Sequence, residues 1–306
     1  FHENGYAVYK DVATADELKR GEDLFWAWME QYTDVVRDDL STWTNSQWPG
    51  YTGLGIINSN GVGQSEFLWF VRGLRTIHTL FSDLWHDDDL ISSFDGCGAF
   101  RPIQKNPEWT TKAGWYHTDQ NGHSKPGLKS IQGLLNFYDS GPEDGGLVLV
   151  PGSNKYFEEM YRRFPTIAHP DGNDQVRIDE NAFDEWTALS EEWSLRPIKV
   201  CLHPGDFVVW DSRTIHCNTP PFPIVHNDFP RHDLRRLVAY VSMSPLSSVV
   251  DFGVLEKRKH AVFAGIACNH WAHEFHPIRG LGPEGFRPPV LDAHQKALVW
   301  GRGYDW

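Results

Sequence analysis

The chain has 306 residues, 40% of them hydrophobic and 23% charged, with a formal net charge of −13. That is the profile of a folded globular protein with room for a full core, and no apolar stretch approaches the roughly 18–20 residues a membrane span needs. The acidic balance, with no long basic run, argues against a nucleic-acid surface, although one buried Arg could still bind a small anion.

In chain order, a short β-like start from Gly5 to Tyr9 leads into a helix expected over Ala15 to Tyr32. Thr14 is its N-cap, and Glu17 stands at the capping-box spacing. A loop rich in Gly, Asn and Ser follows from Ser41 to Gly63. Within it, Gly53-Leu54-Gly55 lacks the third Gly and the strand–helix setting of a nucleotide loop. A second helix is expected from about Gln64 to Trp85, with Phe67, Val71, Leu74, Ile77 and Phe81 at helical spacing. Of the 14 Trp, Trp26, Trp28, Trp43, Trp48, Trp69 and Trp85 fall in this first third. Their expected role is to fill a helix–sheet interface rather than to stack on a ligand.

After Asp95 the texture changes to short strands broken by Gly and Pro. Expected strands are Cys97–Ile103, Lys129–Tyr138, Gly146–Val150, Ile198–Leu202, Phe207–Asp211 and Arg235–Ser242. Helical insertions are expected near Lys155–Arg163 and Asn181–Glu192. This pattern predicts an α+β chain with a mainly β core, a sandwich or jelly roll rather than a parallel sheet. One domain is expected: a helical flank (1–95), a β core (96–245) and a C-terminal extension (246–306) near the mouth of the site. Cys97, Cys201, Cys217 and Cys268 are scattered, with no CxxC pair. A reducing compartment is therefore the default. Nothing near Phe1 has the order of a signal peptide, so a cytoplasmic location is expected. A monomer or weak homo-oligomer acting on a small molecule, with no nucleic-acid or membrane partner, fits these features.

Two imidazoles and one carboxylate on one face of an ion leave its other face free for a co-substrate and oxygen. In sequence this reads as His-x-Asp, whose side chains share one side of an extended segment, and then a distant His. With 15 His and 25 Asp in 306 residues, chance supplies about one His-x-Asp, and the chain has four. His86/Asp88 close a helix in an acidic run, His169/Asp171 sit in a polar turn, and His226/Asp228 lie in a Pro-rich loop. Only His117-Thr118-Asp119 lies between two expected strands, behind the apolar Trp115-Tyr116. The third ligand is expected at His216, which follows the turn Pro204-Gly205-Asp206 and the buried run Phe207-Val208-Val209-Trp210. Arg235 then heads another apolar strand, as a surface end-cap or as a buried fork for a carboxylate.

From His117 to Ser242 the chain resembles the phytanoyl-CoA dioxygenase family of iron/2-oxoglutarate enzymes. Four blocks carry the resemblance: His117-Thr118-Asp119, the run from Asp144-Gly145-Gly146-Leu147 to Pro151-Gly152-Ser153-Asn154-Lys155, Pro204-Gly205-Asp206 leading to His216, and Arg235. The opening strand and helix also resemble that family's usual start. The resemblance implies a double-stranded β-helix, Fe(II) on His117, Asp119 and His216, and 2-oxoglutarate chelating the iron with its distal carboxylate on Arg235. The expected activity is an O2-dependent dioxygenase, most simply a hydroxylase, that releases succinate and carbon dioxide. The gap from Cys217 to Leu234 is longer than the family's usual spacing, which leaves Arg236 as a competitor. Only one of the two can point into the barrel, because successive strand residues face opposite sides. In related halogenases a small residue replaces the carboxylate, so Asp119 favours oxygen insertion, desaturation or ring closure.

Asn136 is a further candidate for cofactor contact, because a core-facing Asn must be hydrogen-bonded. Arg101, on the strand before the metal motif, is a candidate for substrate contact. His270, His273 and His276 are spaced too widely to share one metal on a helix, so a packed segment at the site mouth is expected there. Competing readings are a zinc hydrolase, for which no HExxH helix is present, a metal-dependent jelly-roll oxygenase not using 2-oxoglutarate, and a non-catalytic binding protein on the same fold.

Overall fold

The computed structural model describes residues 1–169, 171–178, 190–222, 234–278 and 280–303. Its strands are β1 (Tyr6–Tyr9), β2 (Ile56–Ile57), β3 (Leu90–Ser92), β4 (Cys97–Phe100), β5 (His117–Thr118), β6 (Ile131–Asn136) and β7 (Gly146–Leu149). They continue with β8 (Val176–Arg177), β9 (Ile198–Lys199), β10 (Phe207–Asp211), β11 (His216–Thr219), β12 (Arg236–Tyr240) and β13 (Met243–Pro245). The helices used below are α1 (Ala15–Tyr32), α2 (Glu66–Arg72), α3 (Arg75–Trp85), α4 (Phe157–Arg163), α5 (Gly253–Ala264) and α6 (Ala293–Trp300). The second expected insertion, near 181–192, lies largely outside the described residues.

Two antiparallel sheets face each other, one ordered β1-β10-β6-β12-β4-β2 and the other β8-β5-β11-β7-β9. Side-chain alternation sorts each strand between two environments. Leu134, Leu147, Leu149, Val208, Trp210 and Val238 fill the space between the sheets. Leu135, Phe207, Val209, Leu237 and Ala239 turn outward, into the larger core that holds Phe25 of α1, Phe67 of α2 and Phe81 of α3. The result is a double-stranded β-helix of the jelly-roll type with helices packed on its six-stranded face.

Local signals set most helix ends. The Thr14–Glu17 capping box is formed, and α1 has the expected bounds. The second helix is split where one helix was expected. Gly73 is a weak helix former and Leu74 turns extended (φ −64°, ψ 119°), so α3 starts on a new axis. The Trp69 carbonyl at the end of α2 accepts a hydrogen bond from Gln295 Nε2 at the head of α6, at 2.9 Å. Five of the six early Trp are buried in the large core, and the sixth, Trp85, packs against it and donates to the Met243 carbonyl at 2.8 Å. Arg258 of α5 is buried and donates to the carbonyls of Ser92, Ala272, Leu298 and Val299. It thereby ties the C-terminal segment to the barrel.

Candidate metal centre

Strand register brings the two histidines together. β11 pairs antiparallel with β5 so that His216 lies opposite His117, and their rings stand 4.2 Å apart between centroids. Asp119, two residues beyond His117, points the same way: its carboxylate oxygens lie 3.4 Å from His117 Nε2 and 3.2 Å from His216 Nε2. All three ligand atoms fall within 4.8 Å of one another, a spacing that one ion can bridge. Backbone contacts fix the segments on both sides. Asp119 N–H donates to the Ser212 carbonyl at 3.0 Å, and Ile215 N–H donates to Ser153 Oγ at 2.9 Å. Ser153 belongs to the Pro-Gly-Ser block, so that block holds the entry to β11.

Both imidazoles are held in the tautomer a metal needs. His117 Nδ1 lies 3.1 Å from the Trp115 carbonyl and His216 Nδ1 lies 2.9 Å from the Thr214 carbonyl. A carbonyl can only accept, so each Nδ1 carries the proton and each Nε2 presents its lone pair to the centre. Burial, and then His216 beside it, push the His117 imidazole below its ordinary pKa, which favours the neutral form. Burial alone would raise Asp119, but positive charge at the centre, carried in the metal-free protein by a protonated His117 and then His216, holds its carboxyl well below the usual range. Gln132 Nε2 donates to Asp119 Oδ2 at 3.0 Å, and the Trp115 ring stacks on His117 at 5.0 Å and 15°. Two neutral nitrogen donors, one anionic oxygen donor and an open side are the donor set of a non-haem iron(II) centre. The residues present therefore fit that ion.

The two competing arginines take opposite sides. Arg235 precedes β12, and its Nη2 pairs with Asp144 Oδ1 at 2.5 Å. Arg236 shares its parity with Val238 and Tyr240, the interior face of the strand. Its guanidinium lies 5.0 Å above the Phe100 ring, and its Nη1 is buried with no hydrogen-bond partner among the described residues. Gly98 and Gly146 make the space for it: a Cβ on Gly98 would come 2.8 Å from Arg236 Nη1, and one on Gly146 would come 3.0 Å from its Nε. The Gly-Gly-Leu block thus has a steric reason at Gly146. The expectation that Arg235 enters the barrel is corrected, because strand alternation delivers Arg236 instead.

Two other expected contacts are also placed elsewhere. The Asn136 side chain shares the interior parity, but Nδ2 spends both donors on the carbonyls of Tyr138 at 2.5 Å and His203 at 3.0 Å. An amide left only with an acceptor does not bind a carboxylate. Arg101 donates to the Trp43 carbonyl at 2.6 Å and Asn45 Oδ1 at 2.5 Å. It lies 5.1 and 5.0 Å from the rings of Trp48 and Trp109. It clasps the N-terminal loop and is absent from the wall of the metal cavity.

The three C-terminal histidines go to three different partners. His270 lines the metal cavity, His273 Nδ1 meets Ser244 Oγ at 3.0 Å, and His276 pairs with Glu274. Asp174, Glu274 and His276 form a second acidic grouping, but Lys125 already occupies it, with Nζ 2.8 Å from Asp174 and 2.7 Å from Glu274. The same ammonium sits 3.8 Å over the Trp271 ring. Sequence reasoning missed Gln132, Asp95 and Tyr240, which line the cavity, and expected of His270 only that its segment packs near the site mouth. They lie on separate segments and share no motif spacing.

A family model described as phytanoyl-CoA dioxygenase (PhyH) matches residues 1–220. The chain is 29% identical over 277 residues to Ava biosynthesis cluster protein O of Aspergillus versicolor, covering 90% of this chain and 85% of that protein. Among solved structures, EctD from S. alaskensis with 2-oxoglutarate and 5-hydroxyectoine aligns at 15% identity with a TM-score of 0.53, over 92% of this chain and 84% of EctD. SnoK, a non-haem α-ketoglutarate-dependent carbocyclase from nogalamycin biosynthesis, aligns at 15% identity and 0.52, over 80% of this chain and 81% of SnoK. At that identity the structural likeness establishes the fold.

Proposed function

This chain belongs to the phytanoyl-CoA dioxygenase family, and on that premise we propose that it oxidises, most simply hydroxylates, a small organic metabolite. The enzyme is a non-haem iron(II), 2-oxoglutarate-dependent dioxygenase. His117, Asp119 and His216 hold the iron, and Arg236 holds the distal carboxylate of 2-oxoglutarate. The observation that carries the reading is the buried triad, with both Nε2 lone pairs directed at one point, together with Arg236 on the interior face of β12. Bound iron(II) with 2-oxoglutarate and O2 supplies the oxidising power for C–H chemistry, with succinate and carbon dioxide released.

The protein's own part is placement. The carbonyls of Trp115 and Thr214 orient the two imidazoles, and Gln132 fixes the carboxylate that completes the face. Trp115, Leu134, Leu147 and Trp210 line the cavity and exclude water from it. Arg236, unpaired at Nη1, offers a charge-assisted donor that a bound carboxylate would satisfy. The described residues act as one catalytic unit, with the C-terminal segment closing one wall through His270.

Anaerobic addition of iron(II) and then 2-oxoglutarate tests this reading. The expected result is a weak visible charge-transfer band that is lost in His216→Ala. No band from folded, iron-loaded protein would remove 2-oxoglutarate from the proposal. Wild-type iron content in His117→Ala, Asp119→Ala and His216→Ala alike would remove the triad.

A further inference from the structure

The cavity beside the triad has a volume of about 120 Å³. Two of its polar wall residues serve neither the metal nor 2-oxoglutarate: Asp95, between β3 and β4, and His270, on the C-terminal segment. His270 lies beyond the residues matched by the family model. It is therefore a feature of this chain that the family assignment leaves unexplained.

Both groups are held in place. Arg72 Nη2 donates to the Asp95 carbonyl at 2.8 Å, and the Gly96 N–H donates to Asp95 Oδ1 at 2.7 Å. His270 is 6% exposed, and its neighbours Trp271 and Ala272 are pinned by Lys125 and Arg258. Its Nε2 is buried with no hydrogen-bond partner among the described residues. A buried, unsatisfied imidazole nitrogen carries a desolvation cost that a bound ligand would recover. Burial pushes the imidazole down to about 4, so near neutral pH it is an uncharged hydrogen-bonding group.

Charge selects the ligand. Asp95 contributes a carboxylate, and no Lys or Arg is among the described residues lining the cavity. Iron(II), the Asp119 carboxylate, dianionic 2-oxoglutarate and the Arg236 guanidinium that would hold it sum to zero, so the Asp95 carboxylate sets the sign of the loaded cavity. Another anion would be repelled by Asp95, whereas a cation is drawn to it, with Trp115 and Trp210 in the same wall. We infer that Asp95 and His270 form a substrate anchor for a basic nitrogen, the protonated amine or guanidine of a small metabolite. In this anchor Asp95 pairs with the charge and His270 Nε2 takes an adjoining polar hydrogen. The inference rests on the proposed function for what happens next to that substrate, but the anchor itself is read by binding.

The test measures equilibrium binding of tryptamine, its neutral analogue tryptophol, the anion indole-3-propionate and a second cation, benzylguanidine. Calorimetry is done on the full chain, both metal-free and loaded anaerobically with iron(II) and 2-oxoglutarate. Cations are expected to bind at least tenfold tighter than tryptophol or indole-3-propionate. Asp95→Asn should remove that preference, and His270→Ala should weaken the cations severalfold, with partial rescue in His270→Gln. Equal binding of all four probes, no binding of either cation, or an unchanged preference in Asp95→Asn overturns the anchor. Should Asp95→Asn not fold, the wild-type ranking of the four probes decides. Cation preference without a chelate band would retire the 2-oxoglutarate reading and leave the anchor, and a normal band without preference would do the reverse.

Discussion

Replacing Arg236 should cost 2-oxoglutarate most of its affinity, while replacing Arg235 should cost little. Arg236 lies on the interior face of β12 with an unpaired Nη1, so a carboxylate bound there gains two charge-assisted hydrogen bonds of about 1.5–3 kcal/mol each. At the lower bound, Arg236→Ala loses about 3 kcal/mol, roughly 150-fold in Kd. Arg236→Lys keeps the charge, loses the planar fork and should fall between the two. Arg235 is paired with Asp144, and the two side chains are 11% and 25% exposed. Breaking that bridge should lower stability by about 1 kcal/mol and leave the co-substrate Kd within about threefold. The assay is anaerobic titration of iron-loaded protein, followed by the chelate absorbance. Thermal unfolding is the control that separates a lost co-substrate contact from a failure of Arg236→Ala to fold once its contact with Phe100 is gone. A large loss in Arg235→Ala with an unchanged Kd in Arg236→Ala would refute the argument from strand parity.

Gln132→Leu keeps all three ligands but frees the Asp119 carboxylate; iron affinity should fall by about 10–100-fold, read by competition with a chelator. An unchanged affinity would deny Gln132 its orienting role. Arg101→Ala removes two buried hydrogen bonds and the contacts with Trp48 and Trp109; urea unfolding should show a loss of about 3 kcal/mol or more, with 2-oxoglutarate affinity intact. A substrate-binding role would leave stability nearly unchanged instead. Burial pushes His273 and His270 down to about 4, so between their ordinary value near 6.5 and pH 4 the unfolded chain takes up protons that the native chain refuses. Metal-free protein should therefore lose stability as pH falls through that window, by up to about 3 kcal/mol per group. A urea midpoint that stays flat from pH 7 to 4.5 would contradict this.

Some elements were legible from local chemistry. The Thr14–Glu17 box needs only a short stretch of chain, and α1 begins where that box places it. His117-Thr118-Asp119 stood out from three similar dipeptides by its apolar setting, and two of the others have visible structural explanations. His86 is the left-handed residue that ends α3, and His169 meets Asp171 in an exposed turn. His226 and Asp228 lie outside the described residues. The helix break at Leu74 was missed because it has no proline, and its capping partner, Gln295, lies 226 residues from Trp69.

By itself, the sequence determined which residue types could form the metal face, because a His-x-Asp in an extended segment and a His after a buried strand are local patterns. It also determined that an arginine would head β12. Only the tertiary structure decided which arginine, because phase along a strand is set by pairing with β4 and β6, and two adjacent arginines look alike from either side. The same holds for Asn136 and Arg101, which are buried as polar residues for structural reasons. Gln132, Asp95 and His270 reach the cavity from three separate segments. Their convergence is a product of packing, for which a linear chain carries no spacing signal.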